Sequence, residues 1–474
     1  MASRRLAQLL GTWRRRGSRR GSADLAAGIR LLVTDGRLPS GTALPAEREL
    51  AAELGVSRTM VASAWDLLRE DGLVTSRRGA GSWVVLPAGS LPLRPQDPFD
   101  ARDMIDFARA VPAAVPGIEA AVDAARPRLA AELAGHGYYE LGLPALRARI
   151  AERFTTRGLP TTADQVLVTN GSHHVLALAL RMLAGPGDRV LIEHPTYPNS
   201  IDAIRAAHAV PVPVAMTEDG WDIDGIEMAL RQAAPRLAYL IVDYQNPTGF
   251  RLDAAGRERL AAALRRTRTP AVVDETAVEL DLDGDPADGP PPFAGFAPDW
   301  VIVAGSAGKS YWGGLRLGWV RASTEIINRL GVARRGIDLG SPVYEQLVLG
   351  ELLADPDPLL RVRRAELAAR RDALVTALER HCPQWTFRRP GGGFSLWCRL
   401  PGPVSTRLAA TAQNFGLWVV PASRFSAQGG LEGWLRLPFT QPAEVLAEGV
   451  RRLSLAAAAV LDSATPAGEL LNPV

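Results

Sequence analysis

This chain of 474 residues has one lysine, Lys309, against 53 arginines. Arginine replaces lysine as a surface charge, but its guanidinium stays protonated and forms no Schiff base with an aldehyde, whereas a lysine amine does. The lone lysine is therefore either a remnant of an arginine-biased composition or a covalent anchor, and its neighbours decide between them. Cysteine is as scarce. Cys382 and Cys398 are too few for a disulfide framework or a zinc site, and six scattered histidines show no ligand spacing, so no metal is expected. No apolar run approaches the roughly 18 residues that span a bilayer, and the N-terminal arginines precede no signal-peptide core. The chain reads as soluble and cytoplasmic, without a membrane partner.

At 47% hydrophobic content there is material for two or three domains with at least one large core. The formal net charge of +3 conceals an asymmetry: residues 1–90 hold 14 arginines and 8 acidic residues, net +6, and the remainder is net −3. A compact basic part joined to a neutral body suggests a polyanionic partner, although a basic face is often only solvated.

Residues 1–20, rich in arginine among small polar residues, read as a flexible basic tail. From Ser22 a helical period carries Leu25, Ile29, Leu32 and Val33 on one face and breaks at Asp35-Gly36. A second helix is expected from about Ala46 to Leu54. After Gly55, Ser57 is a suitable N-cap for a third, with Val61, Ala64, Leu67 and Leu68 inward and an end at Asp71-Gly72. Two short strands, Leu73–Ser76 and Ser82–Leu86, flank the turn Arg77-Arg78-Gly79-Ala80-Gly81, so residues 21–87 make a winged helix-turn-helix. Residues 88–104 form a proline-rich linker. Over 105–462, helical segments alternate with the apolar runs VLVTN, RVLIE, LAYLIVDY, AVVDE and WVIVAGS, the pattern of a mostly parallel sheet covered on both faces. Residues 463–474 read as a frayed tail.

In a helix-turn-helix the start of the second helix reaches base edges and flanking basic or hydroxyl groups hold phosphate. Here that start is Ser57-Arg58-Thr59, with Arg48 on the preceding helix and Arg77, Arg78 and Gly79 in the wing. Arg58 suits a bidentate contact to guanine. The bland alternative is a helical cap with a solvated basic face.

Lys309 lies in GSAGKSYWGGLRLGWV, directly after an apolar strand, with Ser306 and Arg316 beside it. A phosphorylated aldehyde needs an amine for its imine, hydroxyl and guanidinium groups for its phosphate, and an acceptor for its ring nitrogen. Asp274 at the end of AVVDE supplies that acceptor. Asn246 in NPTG can donate to the ring phenolic oxygen, and Tyr197 in EHPTYPN offers a stacking face. Gly171-Ser172-His173 opens a helix whose first amides, with the Ser172 hydroxyl, suit phosphate. Singly each has an ordinary reading as a turn, a strand-end cap or a core residue. Their order and spacing carry the argument.

The segment from Gly36 to Val85 resembles the GntR-type winged helix in LP-x-ERELA, GVSR-T-V and a DGL hairpin ending in a G-x-G wing. That resemblance implies a dimer on double-stranded operator DNA, contacted by Arg48, Ser57, Arg58 and Thr59; Ala62 stands where some relatives carry an arginine. From Tyr138 to Phe439 the chain resembles the fold-type I, aspartate-aminotransferase-like family in GxPxLR, TNGS, P-x-YP, NPTG, S-x-x-K, GxRxGW and WLRLPF. The implied roles are an aldimine of pyridoxal 5′-phosphate at Lys309, the ring-nitrogen partner at Asp274, the phenolic-oxygen donor at Asn246 and the stacking ring at Tyr197. Ser172, His173, Ser306 and Arg316 would hold phosphate, Arg436 would clamp an α-carboxylate, and Tyr138 would reach the neighbouring subunit's phosphate. Two departures stand out. Thr276 and Ala277 occupy the positions where the family usually has a tyrosine, and Ser306-Ala307-Gly308-Lys309 lacks the family's second serine near the lysine.

The whole layout resembles MocR-type transcription regulators. It implies an α/β chain with a winged helix-turn-helix ahead of a large aminotransferase-like domain. The implied function is a pyridoxal-phosphate-dependent, homodimeric DNA-binding regulator sensing an amine, an amino acid or the cofactor itself, with at most slow transamination. A working aminotransferase with an accessory DNA-binding domain, and a domain that only dimerises, are the alternatives.

Overall fold

The computed structural model describes residues 3–10, 13–14, 21–34, 38, 41–77, 81–85, 104–285 and 288–462. In the N-terminal part these are helices α1 (Ser3–Leu10), α2 (Gly21–Thr34), α3 (Glu47–Leu54) and α4 (Arg58–Glu70) and an antiparallel pair, β1 (Val74–Arg77) and β2 (Gly81–Val84), with Val74 opposite Val84. The turn between α3 and α4 follows from its sequence. Gly55 takes the left-handed conformation, φ 64°, and the Ser57 hydroxyl accepts the Met60 N–H at 3.2 Å, satisfying one of the first-turn amides. Leu25, Ile29, Leu50, Val61, Ala64, Trp65 and Leu68 close the core, with Leu67 only partly buried at its edge.

The expectation of a tail over residues 1–20 is corrected for 3–10. Leu6 and Leu10, one helical turn apart, are 0% and 7% exposed against that core, while Arg4 and Arg5 face outward. Burying two leucines contributes about 1.5–3 kcal/mol each, enough to hold a short helix that would not form alone. The arginine count hid the apolar stripe. Residues 15–20, Arg78, Gly79, the linker over 88–103 and the tail 463–474 lie outside the described residues, as does the Arg77 side chain.

The large domain starts with β3 (Ile105–Asp106). Its main sheet contains β4 (Val166–Thr169), β5 (Arg189–His194), β6 (Val210–Thr217), β7 (Gly220–Trp221), β8 (Leu237–Leu240), β9 (Ala271–Asp274), β10 (Val301–Ser306) and β11 (Gly318–Arg321). The order is β4-β11-β10-β9-β8-β5-β6-β7, parallel from β10 through β6, with β11 antiparallel to both its neighbours. Helices on both faces bury the apolar runs, as those runs require. The sheet is thus the mostly parallel one expected. Strand β6 was not foreseen because its sequence is VPVPVAMT. Val210 N–H donates to Asp188 O on the β5 side, so the alternate residues Pro211 and Pro213 place their missing N–H groups away from that ladder. LAYLIVDY pairs only as far as Leu240, because the Ile241 N–H turns to the Glu193 carboxylate at 3.0 Å.

A smaller antiparallel sheet, β12 (Thr386–Phe387), β13 (Ser395–Arg399) and a strand at Trp434–Pro438, packs against the helices Asp357–His381 and Ala443–Asp462. Between them β14 (Leu417–Trp418) pairs in parallel with β3, so the first described residues after the linker are fastened to this smaller subdomain.

Candidate functional site

A cavity of about 490 Å³ opens where β4, β5, β8, β9 and β10 end at their carboxyl sides, the place at which open α/β sheets bind ligands. Each expected cofactor residue except Tyr138 lines it: Ser172 and His173 after β4, Tyr197 after β5, Asn246 after β8, Asp274 closing β9, and Ser306, Lys309 and Arg316 after β10. Arg436, from the strand Trp434–Pro438, lines the opposite wall.

The Lys309 amine donates to Ala110 O at 2.6 Å and lies 5.2 Å from the Phe394 ring centroid. Burial pushes it down to about 8, with the Arg436 and Arg316 guanidiniums acting in the same direction and Asp274 opposing them. A neutral, nucleophilic amine is therefore accessible near physiological pH. Its loop is fastened by Arg363, fully buried, which donates to the carbonyls of Ser310 at 3.3 Å, Tyr311 at 3.0 Å and Ala113 at 2.6 Å. Asp274 accepts the Tyr239 O–H at 2.8 Å and the Thr276 N–H at 2.8 Å. Burial and the Asp274 charge hold the Tyr239 phenol well above its ordinary range, so it stays a donor.

At the phosphate end, Gly171 (φ 86°) enters the helix Ser172–Leu183 with no side-chain cap, leaving first-turn amides for an anion. Ser172 Oγ accepts the Thr276 hydroxyl at 3.0 Å, and Ser306 Oγ accepts the Gly308 N–H at 3.1 Å. Arg316 sits in the left-handed region, φ 53°. Close packing holds this end: a Cβ at Gly318 would come within 2.6 Å of Gly305 O and 2.7 Å of the Gly171 carbonyl carbon. The His173 imidazole, edge-on to Tyr197 at 6.3 Å, is kept toward its neutral form by burial and secondarily by Arg316, against Asp274.

At the other end Arg436, 5% exposed, donates to Ala108 O at 2.5 Å and to Asn246 Oδ1 at 3.4 Å, and lies over Phe425 at 4.9 Å. An open helix N-terminus with hydroxyls and a guanidinium, a lysine of depressed basicity, a buried carboxylate and a second guanidinium fit a phosphorylated pyridine aldehyde carrying an amino acid. Tyr138 is not brought here. It is 63% exposed and borders a separate open groove that also reaches Arg316.

Tyr239, Arg363, Phe394 and the carbonyls of Ala108 and Ala110 were not found by sequence reasoning. Neither was Glu193, whose buried carboxyl accepts from Trp221 Nε1 at 2.7 Å, Ile241 N at 3.0 Å and Gln245 Nε2 at 3.0 Å and is raised to about 7 by burial. Gln245 Nε2 also donates to Pro195 O, so this pair joins the loops bearing Tyr197 and Asn246. A charged residue inside the run RVLIEHP was the available signal. Thr276 and Ala277 both face the cavity without supplying a phenol, and the Tyr244 hydroxyl nearby is bound by Arg251 at 3.0 Å.

On the winged helix, Arg48 in the first turn of α3 and Ser57, Arg58 and Thr59 at the start of α4 are all exposed. Arg58 pairs with Glu47 at 3.1 Å while its side chain stays 73% exposed, a contact that a guanine edge or phosphate can replace.

The family description "Aminotransferase class I and II" matches residues 112–453, and "Bacterial regulatory proteins, gntR family" matches residues 22–84. The chain belongs to the aminotransferase class I and II family. With the gntR-family domain ahead of it, the chain has the two-domain layout expected of MocR-type GntR regulators. It is 35% identical to 2-aminoadipate transaminase of Thermus thermophilus over 66% of this chain and 79% of that protein. Similarity to the uncharacterized HTH-type transcriptional regulator YdcR of Escherichia coli, at 27% identity, covers 87% of this chain and 93% of the relative. The "Probable rhizopine catabolism regulatory protein MocR" of Rhizobium meliloti is 27% identical over 84% of this chain and 85% of its own length. Among solved structures, LysN of Thermus thermophilus, an α-aminoadipate aminotransferase complexed with N-(5′-phosphopyridoxyl)-L-leucine, matches with TM-score 0.69 and 31% identity over 76% of this chain and 94% of that one. Homologues in this aminotransferase family depend on pyridoxal 5′-phosphate, and the residues lining this cavity fit that cofactor. Helix α1 lies outside both matched spans.

Proposed function

We propose that this chain is a homodimeric cytoplasmic regulator that binds double-stranded DNA through its winged helix and senses an amine, an amino acid or pyridoxal phosphate itself at Lys309. Pyridoxal phosphate, when bound, supplies a carbonyl carbon able to exchange one amine for another. The observation that carries the reading is a shared attachment. Lys309 and Arg436, the two groups that a cofactor and an α-carboxylate would claim, both donate to main-chain carbonyls of one segment, Ala110 O and Ala108 O. That segment follows β3 and the linker to the winged helix. An occupant that takes these donors releases the carbonyls, so the segment responds to the cavity's contents, and a ligand with different affinity for the two arrangements shifts their balance. The missing phenol at Thr276 and Ala277 supports a site tuned for holding rather than turnover. Tyr138, exposed beside the Arg316 groove, is the residue that would meet a second subunit.

The test is spectroscopic. Purified full chain is incubated with pyridoxal phosphate, reduced with borohydride and mapped by mass spectrometry. A visible absorbance band and a reduced adduct on Lys309 are expected; absence of both would remove the sensor. The second reading, an aminotransferase with an accessory DNA-binding domain, draws on the 35% identity to 2-aminoadipate transaminase and on the intact Arg436 clamp. Multiple-turnover formation of a 2-oxo acid at rates ordinary for the family would favour it.

A further inference from the structure

The cationic charge of the cavity exceeds what the cofactor and an amino-acid backbone use. Its wall carries Arg109, Lys309, Arg316, Arg424 and Arg436, against Asp274 as the acidic member. In the reading above, Lys309 takes the carbonyl, Arg316 the phosphate and Arg436 the α-carboxylate. Arg109 and Arg424 have no assignment in it.

Both stand next to the clamp. Arg109 lies between Ala108 and Ala110, whose carbonyls receive Arg436 and Lys309. Arg424 directly precedes Phe425, the ring over which Arg436 lies at 4.9 Å. Each guanidinium is braced by an aspartate that is not part of the cavity wall: Arg424 NH2 lies 2.8 Å from Asp202 Oδ2, and Arg109 Nε lies 3.5 Å from Asp106 Oδ2. A guanidinium carries five N–H donors, so one braced edge fixes its direction and leaves other donors for a ligand. The side chains are 30% and 56% exposed, so these two guanidiniums line a solvent-open part of the wall, whereas Arg436 is 5% exposed.

We infer that the cavity takes an amino acid whose side chain ends in a carboxylate or similar anion, and that Arg109 and Arg424 bind that distal group. The inference rests on the reading that an amino acid occupies the Lys309 and Arg436 site. Its apolar stem would run past Phe394 and Phe425, both in the wall. Partial exposure moderates the effect, because charges at a wet rim gain less than buried ones.

The experiment uses the full chain loaded with pyridoxal phosphate and reads its absorbance during titration. L-aspartate, L-glutamate and L-2-aminoadipate are each compared with the corresponding side-chain amide, L-asparagine and L-glutamine for the first two. For at least one acidic member the half-saturating concentration is expected to be about tenfold below that of the amide of matching length. Arg109→Gln and Arg424→Gln should each erode that ratio while leaving the response to L-alanine unchanged. Equal responses to acid and amide, or a ratio untouched in both variants, would overturn the inference. Calorimetric titration with glutarate against butyrate needs no amine and separates the two claims. Glutarate binding that weakens in Arg424→Gln, without any spectral response to amino acids, would keep the anion site and sink the exchange at Lys309. Glutarate no tighter than butyrate would overturn the anion site itself.

Discussion

The two units of this chain use the same cation in opposite ways. On the winged helix, Arg48 and Arg58 are turned to solvent, and the ion pairs of Arg30 with Asp71 and Arg58 with Glu47 are exposed. In the large domain, Arg257, Arg334, Arg363 and Arg371 are at most 1% exposed and work as internal fasteners. Arg257 donates to Leu252 O at 2.9 Å, Pro291 O at 3.2 Å and Asp243 Oδ1 at 2.6 Å. Arg334 reaches Val168 O at 2.6 Å and Ser341 Oγ at 3.0 Å. A planar fork of five donors satisfies several buried acceptors at once, which an ammonium does less well, and the same fork outside can read a guanine edge. Arginine thus covers both structural and recognition work, and the one lysine is left for the chemistry that arginine cannot do.

That contrast breaks most completely at Lys309. Lys309→Arg keeps the charge in place and should abolish the cofactor absorbance and the borohydride adduct outright; a retained adduct elsewhere in the chain would end the argument from the lone lysine. Next in size is Arg257→Ala, which leaves the buried Asp243 carboxylate to Arg251 at 3.2 Å and strips a buried donor from the carbonyls of Leu252 and Pro291; it should cost about 3–5 kcal/mol of stability in chemical denaturation, with Arg257→Lys recovering only part. If the alanine variant lost less than about 1 kcal/mol, the internal arginines would be passengers rather than fasteners. On the outside, Arg58→Ala should leave stability within about 0.5 kcal/mol and cost about 1–3 kcal/mol of specific DNA affinity. Equal losses on unrelated DNA would mean that Arg58 holds phosphate and reads no base. Because the Lys309 amine is lowered to about 8, the rate of cofactor attachment should rise with pH and level off above that value, as the neutral amine becomes the dominant form. A rate still climbing steeply at pH 10 would indicate an unshifted amine. The smallest effect is expected from Thr276→Tyr or Ala277→Tyr, a modest gain in any transamination, read by oxo-acid formation. No gain at either position would mean that the missing phenol is not what limits turnover.

Much of the site was legible because the groups that touch a cofactor must be particular side chains at strand ends: Lys309, Asp274, Asn246, Tyr197 and Ser172 each stand just beyond or at the end of an apolar run. The rest arrives from elements distant in sequence. Tyr239 lies within β8, and only the register of β8 beside β9 brings its hydroxyl to Asp274. Ala108 and Ala110 act through carbonyls, which every residue carries, so no residue type could mark them. Glu193 was passed over because a lone carboxylate in a buried strand looks like noise until Trp221, Ile241 and Gln245 converge on it. The fold was read well where strands were plainly apolar and poorly where composition misled, as with the prolines of β6 and the arginines around Leu6 and Leu10.

The most direct test of the central claim joins the two units. DNA enriched from a random pool by the full chain is labelled, and its affinity is measured by fluorescence anisotropy with the pyridoxal-phosphate-loaded protein while amino acids are added. The account predicts that an amino acid able to alter the cofactor absorbance also shifts the DNA affinity, and that Lys309→Ala binds the same DNA with no response to either addition. A DNA affinity indifferent to cofactor and amino acid, in a protein whose cofactor is attached to Lys309, would contradict it.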